Sequence, residues 1–168
     1  MATKSQIDKI SANTIANKMR RLGFAVEKSF YFWRKRGPLF DVLWSEILSG
    51  GDVLRINVTI LCPWIERENG EFEKFPVAES LIGGSLSDEF PNVMHGGQLF
   101  NIGSDADIEK SFNEIYGLLC KHAIPWFNSI NSYESYCSYV GQKGFHPTKE
   151  FREQVKKGIA LGFEKEPL

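Results

Sequence analysis

The chain has 168 residues, and its 20 Lys and Arg nearly cancel 21 Asp and Glu, leaving a net charge of −1. That balance excludes both a strongly basic nucleic-acid module and an acidic disordered tail. With 42% hydrophobic residues and 13 Phe, 5 Tyr and 4 Trp, the chain has the material for a folded core, and its length fits one domain.

Residues 5–22 carry Ile7, Ile10, Ile15, Met19 and Leu22 at steps of three to five, which predicts one amphipathic helix. Gly23 supplies a left-handed stop, and Phe24 folds back on the last turn. Three strands are predicted next. Residues 25–34 place Val26, Phe30 and Phe32 on one face and Glu27, Ser29, Tyr31 and Trp33 on the other. The turn Arg36-Gly37-Pro38 leads to a second strand over 39–47. The turn Ser49-Gly50-Gly51-Asp52 leads to a third over 53–62, where Leu54, Ile56, Val58 and Ile60 alternate with Arg55, Asn57 and Thr59. Short turns between consecutive strands require antiparallel pairing, because a parallel crossover needs about a dozen residues.

Residues 63–97 hold Pro63, Pro76, Pro91 and several glycine breaks, and read as a long excursion with room for a short strand or helix. Residues 98–102 fit a short fourth strand. A second helix is expected over 105–121, with Asp105 as N-cap, Asp107 and Glu109 at the positive end of its dipole, and Pro125 as its stop. Ile108, Phe112, Ile115, Leu118 and Leu119 form its apolar stripe. Trp126-Phe127 docks as an anchor, residues 132–140 form a short helix, and Thr148 caps a last helix over 149–161. The expected fold is a single α+β domain over 1–168. It has an antiparallel sheet of three or four strands, helices packed on one face, and a helical C-terminal extension over 131–168.

The first residues have no apolar run, and no segment approaches the ~20 apolar residues of a membrane span. Cys62, Cys120 and Cys137, odd in number and widely spaced, read as reduced thiols. The expectation is a cytoplasmic protein that binds neither membrane nor nucleic acid. Asn57-Val58-Thr59 matches a glycosylation sequon by chance inside a strand.

Charge is unevenly spread: residues 1–60 carry an excess of +5, residues 61–110 an excess of −7, and residues 111–168 +1. The acidic stretch includes Glu66, Glu68, Glu71, Glu73 and Glu79, so it either offers a basic partner a lip, with Glu71 and Glu73 as candidates, or simply neutralises the basic first third. His95, His122 and His146 are scattered, and Cys120 and His122 diverge on a helix, so no metal site is expected. Gly83-Gly84 and Gly96-Gly97 lack the pattern of a phosphate-binding loop, no nucleophile elbow occurs, and Cys62 at a strand end reads as a small apolar filler. No catalytic residue and no cofactor is therefore assigned. Trp33-Arg34-Lys35-Arg36 suits phosphate or base stacking, but equally a charged hairpin that guards a sheet edge. The sheet's second face gathers Tyr31, Trp33, Asp41, Arg55, Asn57 and Thr59, which is either a binding surface or an ordinary wet face with Asp41 and Arg55 as a cross-strand pair.

The order of these motifs carries a resemblance. A helix ending in Leu22-Gly23-Phe24, the strand Phe30-Tyr31-Phe32-Trp33-Arg34, the strand Ile56-Asn57-Val58 and an acidic-start helix before Pro125-Trp126-Phe127 resemble a family of small bacterial proteins. That family is carried only as a domain of unknown function, and the likeness covers about residues 11–130. It implies a helix-capped antiparallel sheet and brings no activity and no site residues. The expected function leans away from an enzyme, toward a protein-binding or immunity-like accessory module acting on a protein partner or as a homodimer. The alternative is a small-molecule binding or processing protein that uses the wet face of the sheet. A concave pocket would favour the alternative, and a flat or convex acidic surface the former.

Overall fold

Thr3 starts the first helix through a reciprocal cap: its hydroxyl accepts the Gln6 amide at 3.2 Å, and Gln6 Oε1 accepts the Thr3 amide at 2.8 Å. The computed structural model describes residues 3–27, 30–37, 39–48, 50–61, 82–91 and 99–142, together with Lys149 and Glu153. The predicted helix over 5–22 is present but interrupted. Helix α1 (Lys4–Ser11) passes through a π-turn (Ala12–Ala16) into α2 (Asn17–Arg21). At that turn the Thr14 hydroxyl donates to the Ile10 carbonyl at 2.7 Å, competing for an acceptor that the α-helical amide ladder would use. The stop is the expected one. Gly23 takes φ +84°, its amide donates to Arg20 O, and the Phe24 amide reaches back to Met19 O, the paired bonds of a Schellman cap.

The expected strand over 25–34 is instead a hairpin. Strands β1 (Ala25–Glu27) and β2 (Tyr31–Arg36) pair antiparallel, with Ala25 opposite Trp33, Val26 opposite Phe32 and Glu27 opposite Tyr31. Phe30 makes the reversal possible by adopting φ +56°, the one positive φ of a non-glycine residue among those described. This left-handed conformation costs roughly 1–2 kcal/mol. Burial of the ring offsets that cost, since Phe30 meets Phe32 edge-on at 4.7 Å and stacks on Phe112 at 5.3 Å.

Strands β3 (Leu39–Ile47) and β4 (Val53–Leu61) follow, joined by a turn in which Gly50 and Gly51 both have positive φ. Within the 63–97 excursion lie β5 (Ile82–Ser85) and the short helix α3 (Leu86–Glu89). Strand β6 (Phe100–Asn101) pairs antiparallel with β4, Phe100 opposite Leu54. The antiparallel sheet runs β1-β2-β3-β4-β5 with β6 also on β4. The six strands among the described residues exceed the expected three or four because the first expected strand divides and the excursion adds one.

Helix α4 (Asp105–Leu118) is capped by Ser104, whose hydroxyl accepts the Asp107 amide at 3.2 Å, so the N-cap lies one residue before the expected Asp105. Pro125 does not stop the helical run. A π-turn over Leu119–Ala123 sends the Ile124 amide to Leu119 O, and α5 (Ile124–Ser129) then carries Pro125 in its first turn, where a missing N–H is tolerated. Helix α6 spans Tyr133–Gln142. The helix expected over 149–161 lies outside the described residues apart from Lys149 and Glu153, both helical.

The chain divides into two compact units, with boundaries that fall within β2, β3 and β4. The first unit comprises Met1–Arg34, Val42–Val58 and Gly83–Pro125. In it α1 and the first π-turn pack on α4, α2 packs on β1, and α4 packs on β6. Its core includes Ile15, Met19, Phe32, Ile56, Val58, Phe112 and Ile115, all fully buried. The second unit comprises Lys35–Asp41, Thr59–Ile82 and Trp126–Leu168. It contains an aromatic cluster in which the Trp126 ring lies 5.1 Å from Phe127 and 5.6 Å from Tyr139. No helix among the described residues is long and apolar enough to cross a membrane.

Candidate functional site

A wet second face requires its polar residues to meet solvent, and the central strands bury theirs. Asp41 is 0% exposed, Asn57 6% and Thr59 4%. Every residue of Leu39–Leu43 and of Ile56–Leu61 is buried, so both faces of β3 and β4 are covered there. Asp41 is not the partner of Arg55. Its two carboxylate oxygens each accept a 2.7 Å bond from Arg36, whose Nη2 also donates to the Ile130 carbonyl at 3.1 Å. Arg55 lies 3.7 Å from Glu46, both well exposed, a pair of small energetic consequence. Asn57 Nδ2 is buried with no hydrogen-bond partner among the described residues. Tyr31 and Trp33 do share a face of β2, both half-buried, with Glu27 and Ala25 opposite them. Burial, and then the nearby Glu27 carboxylate, pushes the Tyr31 phenol above its ordinary value of 10.0. Glu71 and Glu73 lie outside the described residues.

The basic stretch is also committed internally at two of its three cations. Arg34 donates to Leu22 O at 3.3 Å and sits 4.9 Å from the centre of the Phe24 ring, and Arg36 holds Asp41. Lys35 is exposed. The expected sheet-face set therefore separates into a half-buried pair (Tyr31, Trp33), a buried ion pair, an exposed ion pair and a buried amide.

A different place in the first unit combines space, charge and irregular backbone. A cavity of about 530 Å³ opens where the first π-turn faces the β1–β2 hairpin. The helical side contributes Asp8, Ser11, Ala12, Ala16 and Arg20, and the hairpin side contributes Val26, Glu27 and Phe30. The residue types account for the space: Ala12 and Ala16 stand four residues apart with Ser11 beside them, and none has a side chain long enough to fill it. The left-handed Phe30 belongs to the opposite wall and is anchored on Phe32 and Phe112. π-Turns and non-glycine residues held at positive φ both concentrate at functional positions.

The cavity's electrostatics are lopsided. Asp8 Oδ1 is buried with no hydrogen-bond partner, and neither Asp8 nor Glu27 has a cationic partner among the described residues. Arg20, the one cation on the wall, already donates to Asn17 Oδ1 at 2.8 Å. Such an arrangement can hold a small organic ligand with a polar end and an apolar body. Helical periodicity gave no sign of it, because the apolar stripe that predicts the helix lies on other positions. The small residues at 11, 12 and 16 beside Thr14 are the available signal. Among the described residues no group of three or more His, Cys, Asp and Glu gathers in a way that could hold a metal ion. Comparison with protein-family models, curated proteins and solved structures found no match.

Proposed function

We propose that this chain is a small-molecule-binding protein whose site is the cavity between the first π-turn and the β1–β2 hairpin. The observation that supports this reading is the cavity itself. Its volume of about 530 Å³ falls in the range of ligand pockets, roughly 300–1,000 Å³, and a few polar groups converge on it. The site differs from the sheet face suggested by sequence, where Asp41 is committed to Arg36 and Asn57 is buried. A protein-binding or immunity-like role draws its support from the acidic stretch around Glu71 and Glu73, which lies outside the described residues.

The test is a screen of polar small molecules followed by amide chemical-shift mapping on the full chain. Ligands of this site shift the amides of Asp8, Ala12, Ala16, Val26, Glu27 and Phe30 together. A library that shifts none of them, or hits that cluster elsewhere, overturns the reading.

A further inference from the structure

Resting on the reading of the cavity as a ligand site, we infer that its ligand is an organic cation, a protonated amine carried on a short apolar body. Two carboxylates reach the wall from separate elements, Asp8 from α1 and Glu27 from β1, and neither is ion-paired with a cation among the described residues. A buried acceptor without a donor is costly to leave unmade, and Asp8 Oδ1 is such an atom. The field of Glu27 extends beyond its own side chain, since it contributes to raising the Tyr31 phenol opposite it. Arg20 lines the same wall and, hydrogen-bonded to the neutral Asn17 amide, keeps its charge, so it offsets one of the two carboxylates and leaves an excess of one negative charge.

The size of the cavity separates an organic cation from a bare metal ion. Calcium takes about six to eight oxygen ligands, and a cavity of about 530 Å³ with two carboxylates does not supply them. Besides Ser11 and Arg20, the remaining wall is apolar: Val26, Phe30, Ala12 and Ala16 suit a hydrocarbon body several atoms long. An ammonium group beside a carboxylate makes the stronger, charge-assisted kind of hydrogen bond, and partial enclosure strengthens it further.

The experiment uses three probes of one shape and different charge: phenethylamine, 2-phenylethanol and 3-phenylpropanoate, each titrated against the full chain by amide shift mapping. Phenethylamine is expected to bind with shifts at Asp8, Ala12, Val26 and Glu27, and the alcohol and the acid at least about tenfold more weakly. Glu27→Gln, an exposed position, weakens the amine about tenfold and leaves the alcohol unchanged. Asp8→Asn does the same, with far-UV circular dichroism as the check that the helix persists. Added salt weakens the amine alone. Equal or tighter binding of the alcohol or the acid at the same amides overturns the cation inference and leaves the cavity reading standing. Absence of shifts at the cavity with all three probes and with the wider library overturns both.

Discussion

Replacing Asp41 with Asn tests how the second unit holds its polar centre. The Asp41 carboxylate is 0% exposed and takes two 2.7 Å bonds from an Arg36 side chain that is 17% exposed. Asparagine keeps the volume but removes the charge, and turns one acceptor into a donor that faces the guanidinium. One of the two bonds is lost, and Arg36 keeps a neutral acceptor at the other oxygen, its bond to Ile130 O and limited access to water. Breaking one side of a buried pair costs about 3–5 kcal/mol. The residual exposure of Arg36 places Asp41→Asn near the lower end, about 3 kcal/mol. Against a typical stability of about 5–15 kcal/mol that is a large loss. With a urea dependence of about 2 kcal/mol per molar, the midpoint falls by about 1.5 M. The double replacement Arg36→Met with Asp41→Leu removes both charges and recovers most of the loss, because apolar substitutes of similar size are often neutral or stabilising. An Asp41→Asn midpoint within about 0.3 M of wild type would refute the burial of this carboxylate.

Two further outcomes follow from burial. Ile56→Ala, at a fully buried position of β4, costs about 2–5 kcal/mol in chemical denaturation, and an unchanged midpoint would mean that β4 is slipped by one residue. Tyr31 ionises above 10.0 in an ultraviolet titration, because burial and Glu27 both favour its neutral form; its folded value exceeds its unfolded one, so its contribution to stability is intact below about pH 10 and is lost as pH rises through the raised value. Tyr31→Phe reduces the late phase without abolishing it, because the hydrogen bond with Cys120 and then burial also raise the Tyr116 phenol; an unchanged late amplitude in Tyr31→Phe would contradict the assignment.

Regular alternation and turn residues made the centre of the sheet legible. The span 39–47 and the glycine turn before β4 stand as the periodicity indicates, since Gly50 and Gly51 occupy backbone conformations that exclude most residues. The β1–β2 reversal was not legible, because its left-handed position is held by Phe30 rather than by glycine or asparagine, and an apolar residue there continues the alternation of a single strand. Polar alternation likewise indicates a wet face only if nothing covers it. Asp41 satisfies its buried charge through Arg36, five residues away, and that pairing leaves no mark in the pattern of either strand. Pro125 reads as a stop unless the preceding backbone shifts to i→i−5 bonding, which places it in a first turn. The cavity was hidden for a related reason: it is formed by side chains too small to fill space, on a helix whose apolar stripe lies elsewhere.

The most direct test of the cavity as a binding site is to fill it. Ala12 is exposed on its wall, so Ala12→Trp puts an indole into the space. The expected result is an unfolding free energy in urea within about 0.5 kcal/mol of wild type, together with loss of the phenethylamine shifts at Val26, Glu27 and Phe30. Retention of those shifts in the Ala12→Trp protein would contradict the assignment of the cavity as the site.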